Sequence, residues 1–290
     1  MAELPLSTGC ARSLELPPPS AQERDMKIAV VTGAGKGLGR KIAEGLSLKG
    51  YSVLVTDIDS ETARATADTI GNGAWSMHQD VREPESHREV ARAARDRGTL
   101  ALWVNNAGVL YTGSAWDHGD EIIRKMVDVN VLGMIWGARA AVDAMRTDGG
   151  HLINIASMSS IAPVPGLAVY GATKQAVLGF SISLAGDLER AGVPITVSAI
   201  CPDGIDTDMV SSQRGVKEAG LVFAAPKLLT VEEVASVVMD LVDKPRLAVS
   251  VPRSRALLAH AMRPFPEVSL KALKPFYWFG ERQRRKSNDE

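Results

Sequence analysis

The feature that most restricts the fold is a junction. Ile28-Ala29-Val30-Val31 runs directly into Thr32 to Gly39, read as TGAGKGLG, and Ile42, Ala43 and Leu46 follow at helical spacing. An unbroken apolar run suits a strand buried on both faces, whereas a half-buried strand alternates. The later spacing marks an amphipathic helix. The glycines therefore occupy a strand-to-helix turn. Gly33 permits the sharp change of direction, Gly37 lets a pyrophosphate approach the backbone, and Gly39 lets helix and strand pack closely. The helix start supplies free N–H groups and the positive end of a dipole, which together favour phosphate. No GK[ST] ending follows, which argues against a P-loop nucleotide hydrolase.

Further apolar runs follow at Val53–Val55, Ala74–His78, Leu100–Val104, Leu152–Ala156, Pro194–Ile200 and Leu247–Val251. Between them lie helical periodicities, among them a long helix from about Asp120 to Met145, one from Tyr170 through Leu188, and one from Glu232 to Val242. This alternation predicts an α/β fold with a doubly wound, seven-stranded parallel sheet in a single domain. Ligands in such sheets bind beyond the carboxyl ends of the strands. Gly33, Asp57, Asp80, Asn106, Ser157 and Pro202 all follow strand ends, so one face collects them.

Several of these residues have a specific reading. Asp57 can accept hydrogen bonds from an adenosine ribose and would repel a 2′-phosphate, which favours NAD over NADP. Lys36 pulls the other way, because it could neutralise that phosphate; Asp57 carries more weight, since its charge would sit at the ribose. Asp57 could instead cap the helix that starts near Ser60. Asp80 could bond an adenine amino group or cap the helix holding Val90 and Ala94. Asn105-Asn106-Ala107-Gly108 leaves room for a cofactor, and its amides can tie strand ends together. Asn130 lies among Val127, Val129, Val131 and Leu132. It is either a satisfied core amide or a kink that holds a water.

Tyr170 and Lys174, in YGATK, are one helical turn apart on one face. An ammonium beside a phenol favours the phenolate and would lower the tyrosine pKa from about 10. A phenol so tuned exchanges a proton with an alcohol or a carbonyl. The residues near Leu110–Trp116, Met158–Leu167 and Met209–Pro226 are largely apolar or small, which suits a hydrophobic substrate. Ser211 to about Pro226 has the irregular composition of a lid.

With these motifs in place the chain resembles the short-chain dehydrogenase/reductase family over about residues 27 to 252. TGAGKGLG is similar to its TGxxxGxG loop, Asn105–Gly108 to its NNAG, and Tyr170-x-x-x-Lys174 to its YxxxK; Ser157 and Asn130 stand at family-like spacings. The resemblance implies a Rossmann-type oxidoreductase that transfers hydride between NAD(H) and a hydrophobic secondary alcohol, ketone or aldehyde. Tyr170 would be the general acid/base. Lys174 would lower its pKa and hold the nicotinamide ribose, Ser157 would bond the substrate oxygen, and Asn130 would hold a water in a proton relay. The implied cofactor contacts are Gly33, Lys36, Gly37, Leu38, Gly39, Asp57, Ile58, Asp80, Val81, Asn106, Ala107, Gly108, Tyr170, Lys174, Pro202, Ile205 and Thr207; no metal is expected. One departure stands out: Asp203 follows Pro202 where the family has glycine, with Gly204 one place later. A non-catalytic redox sensor on the same fold is the rival reading, and the complete Asn130, Ser157, Tyr170 and Lys174 set argues against it.

The remaining expectations come from composition. The net charge of −1 supplies no field for nucleic acid. The two cysteines, Cys10 and Cys201, fit a reducing, cytoplasmic setting. Residues 1–25, with Pro17-Pro18-Pro19, read as a disordered extension and 26–252 as the catalytic domain. Residues 253–290 read as a helical, basic-aromatic extension that packs on its own domain, covers a partner subunit's pocket or touches a membrane surface. Family likeness suggests a homodimer or homotetramer.

Overall fold

A computed structural model describes residues 26–224 and 227–286. The expected N-terminal extension, Cys10 and Pro226 lie outside these residues. Seven strands form one sheet: β1 (Lys27–Thr32), β2 (Ser52–Asp57), β3 (Trp75–His78), β4 (Thr99–Asn105), β5 (Gly150–Ile155), β6 (Ile195–Pro202) and β7 (Ala248–Val251). Their order is β3-β2-β1-β4-β5-β6-β7, and every neighbouring pair is parallel. This is the doubly wound Rossmann-type sheet expected from the alternation. The strand order reverses between β1 and β4, and that switch point opens a crevice at the carboxyl edge.

Successive strand residues face opposite sides of a sheet. Ala29 and Val31 of β1 belong to one apolar cluster, with Val53 and Val55; Ile28 and Val30 belong to another, with Leu54 and Trp103. All four β1 positions are fully buried, so both faces are covered. On the first face lie helices α1 (Gly37–Leu48) and α2 (Ser60–Ile70), through Ile42, Leu46 and Ala63. On the second lies α3 (Pro84–Arg97), through Val90 and Ala94.

The long helix expected from about Asp120 is divided. It runs as α4 (Asp120–Val127), a π-helical segment over Asp128–Gly133, and α5 (Met134–Met145). Within the π segment Asn130 is 1% exposed; its Oδ1 accepts from Val109 N at 2.8 Å and its Nδ2 donates to Val109 O at 2.9 Å. Nδ2 also reaches Thr173 Oγ1 at 3.2 Å. Helical periodicity does not register one widened turn, and π segments of this kind gather at functional sites. The Tyr170 helix is α6 (Ala168–Arg190).

After β6 the chain forms a short α7 (Asp208–Ser211) and a 3₁₀ segment over Lys217–Phe223, then α8 (Val231–Asp243), which joins α1 on the first face. The stretch read as an irregular lid thus has local helical structure. Beyond β7 come α9 (Arg253–Met262), α10 (Pro266–Ala272) and α11 (Lys274–Lys286). Helix α9 packs on β7, and α11 packs on the 217–223 segment. Of the expected placements of this extension, contact with its own domain is therefore present.

Candidate functional site

A cavity of about 560 Å³ lies at the carboxyl edge of the sheet, over the switch point. Its wall begins at the glycine turn. Gly33 has φ +62°, a left-handed conformation that a side chain would strain. A Cβ at Gly39 would collide with the Gly33 carbonyl and come 2.5 Å from Asn106 Nδ2. The turn is thus held by close backbone approach, and Asn106 clamps it by donating Nδ2 to Thr32 O and Gly33 O, both at 2.9 Å. Lys36 occupies the N-cap of α1 without a side-chain cap bond. Gly37, Leu38 and Gly39 line the cavity. Helix amides that no side chain satisfies are suited to a phosphate.

Asp57 ends β2 and also lines the cavity. Its Oδ2 accepts from Gly35 N at 2.9 Å, and its Oδ1 from Asp59 N at 3.1 Å. It does not cap α2. Asp59 does, accepting from Glu61 N and Thr62 N. Asp80 does not cap α3 either, because the N-cap there is Glu83. The Asp80 carboxylate pairs with Arg82, whose hydrogen bonds hold its pKa below the usual carboxylate range. Behind these loops a buried chain of hydrogen bonds fixes their spacing. Thr56 Oγ1 donates to Gln79 Oε1 at 2.6 Å, Gln79 Nε2 meets His87 Nδ1 at 3.1 Å, and His87 Nε2 meets the Val81 carbonyl at 2.9 Å. The carbonyl can only accept, so the ring proton is assigned to Nε2 and Nδ1 is the acceptor. Burial lowers the His87 pKa and keeps the ring neutral.

At the other end stand Ser157, Tyr170 and Lys174, all on the cavity wall. The Ser157 hydroxyl lies near enough to the Tyr170 phenol to favour its ionised form. Ser157 also caps the 3₁₀ turn Met158–Ser160, accepting from Ser159 N at 3.2 Å, and Ser160 Oγ donates to Lys174 O at 2.8 Å. The turn after β5 is thereby tied to α6. Lys174, 5% exposed, donates Nζ to Ile155 O at 2.9 Å and lies 5.8 Å from the Tyr170 ring centre.

The electrostatics correct one expectation. The phenol is not tuned toward neutrality. Burial pushes the Tyr170 pKa up to about 12, and the Ser157 hydroxyl opposes it only in part. Burial also pulls Lys174 down to about 8. Desolvation disfavours the charged form of each group and is the largest cause of both shifts. Asn130 is not on the cavity wall. Its side chain is a satisfied core amide, but a Cβ on Gly108 would lie 3.2 Å from its Oδ1 and 3.6 Å from Lys174 Nζ, so Asn130 stands close behind Lys174.

A family model described as short chain dehydrogenase matches residues 27–217, well over half of the chain. The chain belongs to that family. Among similar proteins, "Probable oxidoreductase EphD" of Mycobacterium bovis is 36% identical over 188 residues, 63% of this chain. The match takes in only 31% of that relative's length. Rat "Estradiol 17-beta-dehydrogenase 11" is 30% identical over 254 residues, covering 86% of this chain and 83% of its own. A crystal structure of a short-chain dehydrogenase/reductase from Burkholderia phymatum in complex with NAD superposes with a TM-score of 0.77 at 26% identity, over 85% of this chain and 96% of the other.

In this member of the family all the expected cofactor contacts, Ile58, Val81, Ala107, Pro202, Ile205 and Thr207 included, line one cavity. Thr207 Cγ2 would lie 3.8 Å from a Cβ on Gly37, so the loop after β6 faces the glycine turn across the cleft. Asp203, which replaces the family glycine, has a structural use. Its Oδ1 accepts from Gly204 N at 2.9 Å, and its Oδ2 is paired with Arg255 of α9. Reading strand ends did not single out Arg82, Lys125 or Ser159, which also line the cavity. The Ser159 hydroxyl is buried without a hydrogen-bond partner among the described residues. Its only local signal was the Ser157-x-x-Ser160 capping box.

Proposed function

We propose that the protein is an NAD-dependent oxidoreductase acting on an apolar ketone, aldehyde or secondary alcohol. The observation that carries this reading is the gathering of Ser157, Tyr170 and Lys174 on the wall of a cavity whose other end is an uncapped glycine turn. The NAD-bound neighbour adds support. The turn and the α1 amides would hold the pyrophosphate, Asp57 the adenosine ribose, Lys174 the nicotinamide ribose, and Ile205 and Thr207 the carboxamide end. When bound, the nicotinamide supplies or accepts the hydride. Tyr170 Oη then gives its proton to the carbonyl oxygen in reduction, or takes the alcohol proton in oxidation. A phenol at about 12 is neutral at pH 7, which is the form that reduction needs. Ser157 holds the same oxygen.

The walls around the phenol include Leu110, Met158, Val164, Leu167, Met209, Leu221 and Val222. They favour an apolar substrate body, and the name of the rat relative, with its estradiol, agrees. Trp116 is 85% exposed and takes no part. Tyr170→Phe should lower kcat by about 10²- to 10⁴-fold, the usual share of a general acid/base, with NADH affinity unchanged. Full turnover in that variant, measured on a panel of apolar ketones, would remove the proposed acid.

A further inference from the structure

The C-terminal helices carry two features that hydride transfer does not use. The first is exposure. Eight of the sixteen large apolar side chains exposed on the described residues lie between Leu257 and Phe279. They include Phe265 at 62%, Phe276 at 51% and Trp278 at 65%. Scattered exposed apolar residues are ordinary, but a concentration of them on one segment marks a contact surface. The second is charge. The chain as a whole is close to neutral at −1, yet residues 253–286 hold nine Lys and Arg against two Glu.

The packing of α11 gives these features a direction. Tyr277 and Gly280 face the 217–223 segment, and Gly280 is buried against the Gly220 backbone. At 100° per residue this turns Trp278, Phe279 and Arg282 to the opposite side and leaves Phe276 on the flank of the helix. All four are exposed, and the Arg282 guanidinium lies 5.9 Å from the Trp278 ring centre. In sequence the helix then continues through Arg284, Arg285 and Lys286. Aromatic side chains beside Arg and Lys suit the boundary between hydrocarbon and anionic headgroups. No helix among the described residues is long and apolar enough to cross a membrane, so the contact would be superficial.

We infer that α9–α11 form a docking surface for an anionic lipid bilayer, with the outer face of α11 at its centre. Charge complementarity selects this occupant, because eight basic groups besides Arg255, which is paired with Asp203, attract a negative surface and would repel the same segment of a second copy. Leu221 and Val222 of the segment beneath α11 line the cavity, so in a docked chain α11 lies between that part of the cavity wall and the membrane.

The test is flotation of the full chain with vesicles, without substrate or cofactor, so the result is independent of the hydride-transfer reading. Vesicles of phosphatidylcholine with about a third phosphatidylglycerol should carry at least tenfold more protein than pure phosphatidylcholine, and salt well above physiological strength should reverse most of this. A variant with Phe276→Ala, Trp278→Ala and Phe279→Ala should lose binding at least tenfold while keeping its Tm. So should a second variant with Arg282, Arg284, Arg285 and Lys286 changed to Gln. Absence of flotation, equal binding to both vesicle types, or undiminished binding of both variants would overturn the proposal. A concentration-dependent dimer that the aromatic variant abolishes, with no vesicle binding, would overturn it too and assign the surface to a second copy.

Discussion

Lys174 keeps its ammonium against the Ile155 carbonyl, and it and the Tyr170 phenol sit in surroundings that resist charge. The same effect reaches groups outside the site. His151, bonded to Ser198 Oγ at 2.8 Å across β5 and β6, is pulled by burial down to about 4. Above about pH 6.5 the ring is neutral in both folded and unfolded chains, and its contribution to stability is fully present. As pH falls toward 4 the unfolded chain takes up a proton that the folded chain refuses, so stability drops. Between pH 6.5 and 5 the loss from His151 should be about 2 kcal/mol, read by denaturant unfolding at each pH. His151→Gln should remove that share and leave the smaller one from His87, whose pKa is lowered in the same sense. At the opposite end of the cavity, Asp57 should make NADH bind more tightly than NADPH. Asp57→Asn keeps an acceptor for Gly35 N and removes the charge, so it should narrow the gap at least tenfold in fluorescence titration; equal affinities in the wild type would contradict the ribose assignment.

At the level of elements, the 3₁₀ segment over Lys217–Phe223 depends on what lies above it. Helix α11 approaches so closely that a Cβ on Gly280 would overlap the Gly220 carbonyl. Gly280→Val should therefore lift the helix, and amide exchange over 217–223 should accelerate while the strands stay protected. Unchanged exchange there would show that the segment is held without the helix. The composition of Ser211 to Pro226 suggested an irregular lid, and the composition of the tail suggested a helix, but nothing in either segment showed that one rests on the other. The divided helix around Asn130 is similar. Its apolar spacing continues from Ile122 to Leu132, so periodicity reads one helix. The π turn follows from hydrogen bonds to Val109 and Thr173, which lie 21 and 43 positions away in the chain.

For the molecule as a whole, the cavity predicts a linkage. A dinucleotide bound to the folded chain alone should raise stability by about 2.7 kcal/mol at a hundred times its Kd. For a chain of this size that corresponds to roughly 5–10 °C in Tm. A thermal scan with saturating NADH checks it, and an unmoved Tm would speak against a dinucleotide site. The order of strands and helices, the glycine turn, and the collection of Gly33, Asp57, Asp80, Asn106, Ser157 and Pro202 on one edge were legible in the sequence. They arise from neighbours in the chain: apolar runs, helical spacing and turn residues, which act locally. Three matters waited for the tertiary structure. Asp203 took Arg255 as its partner, burial shifted Tyr170 and Lys174 away from their charged forms, and Gly280 met Gly220. Each depends on which distant segments come together and on how much water they exclude, and a linear sequence states neither.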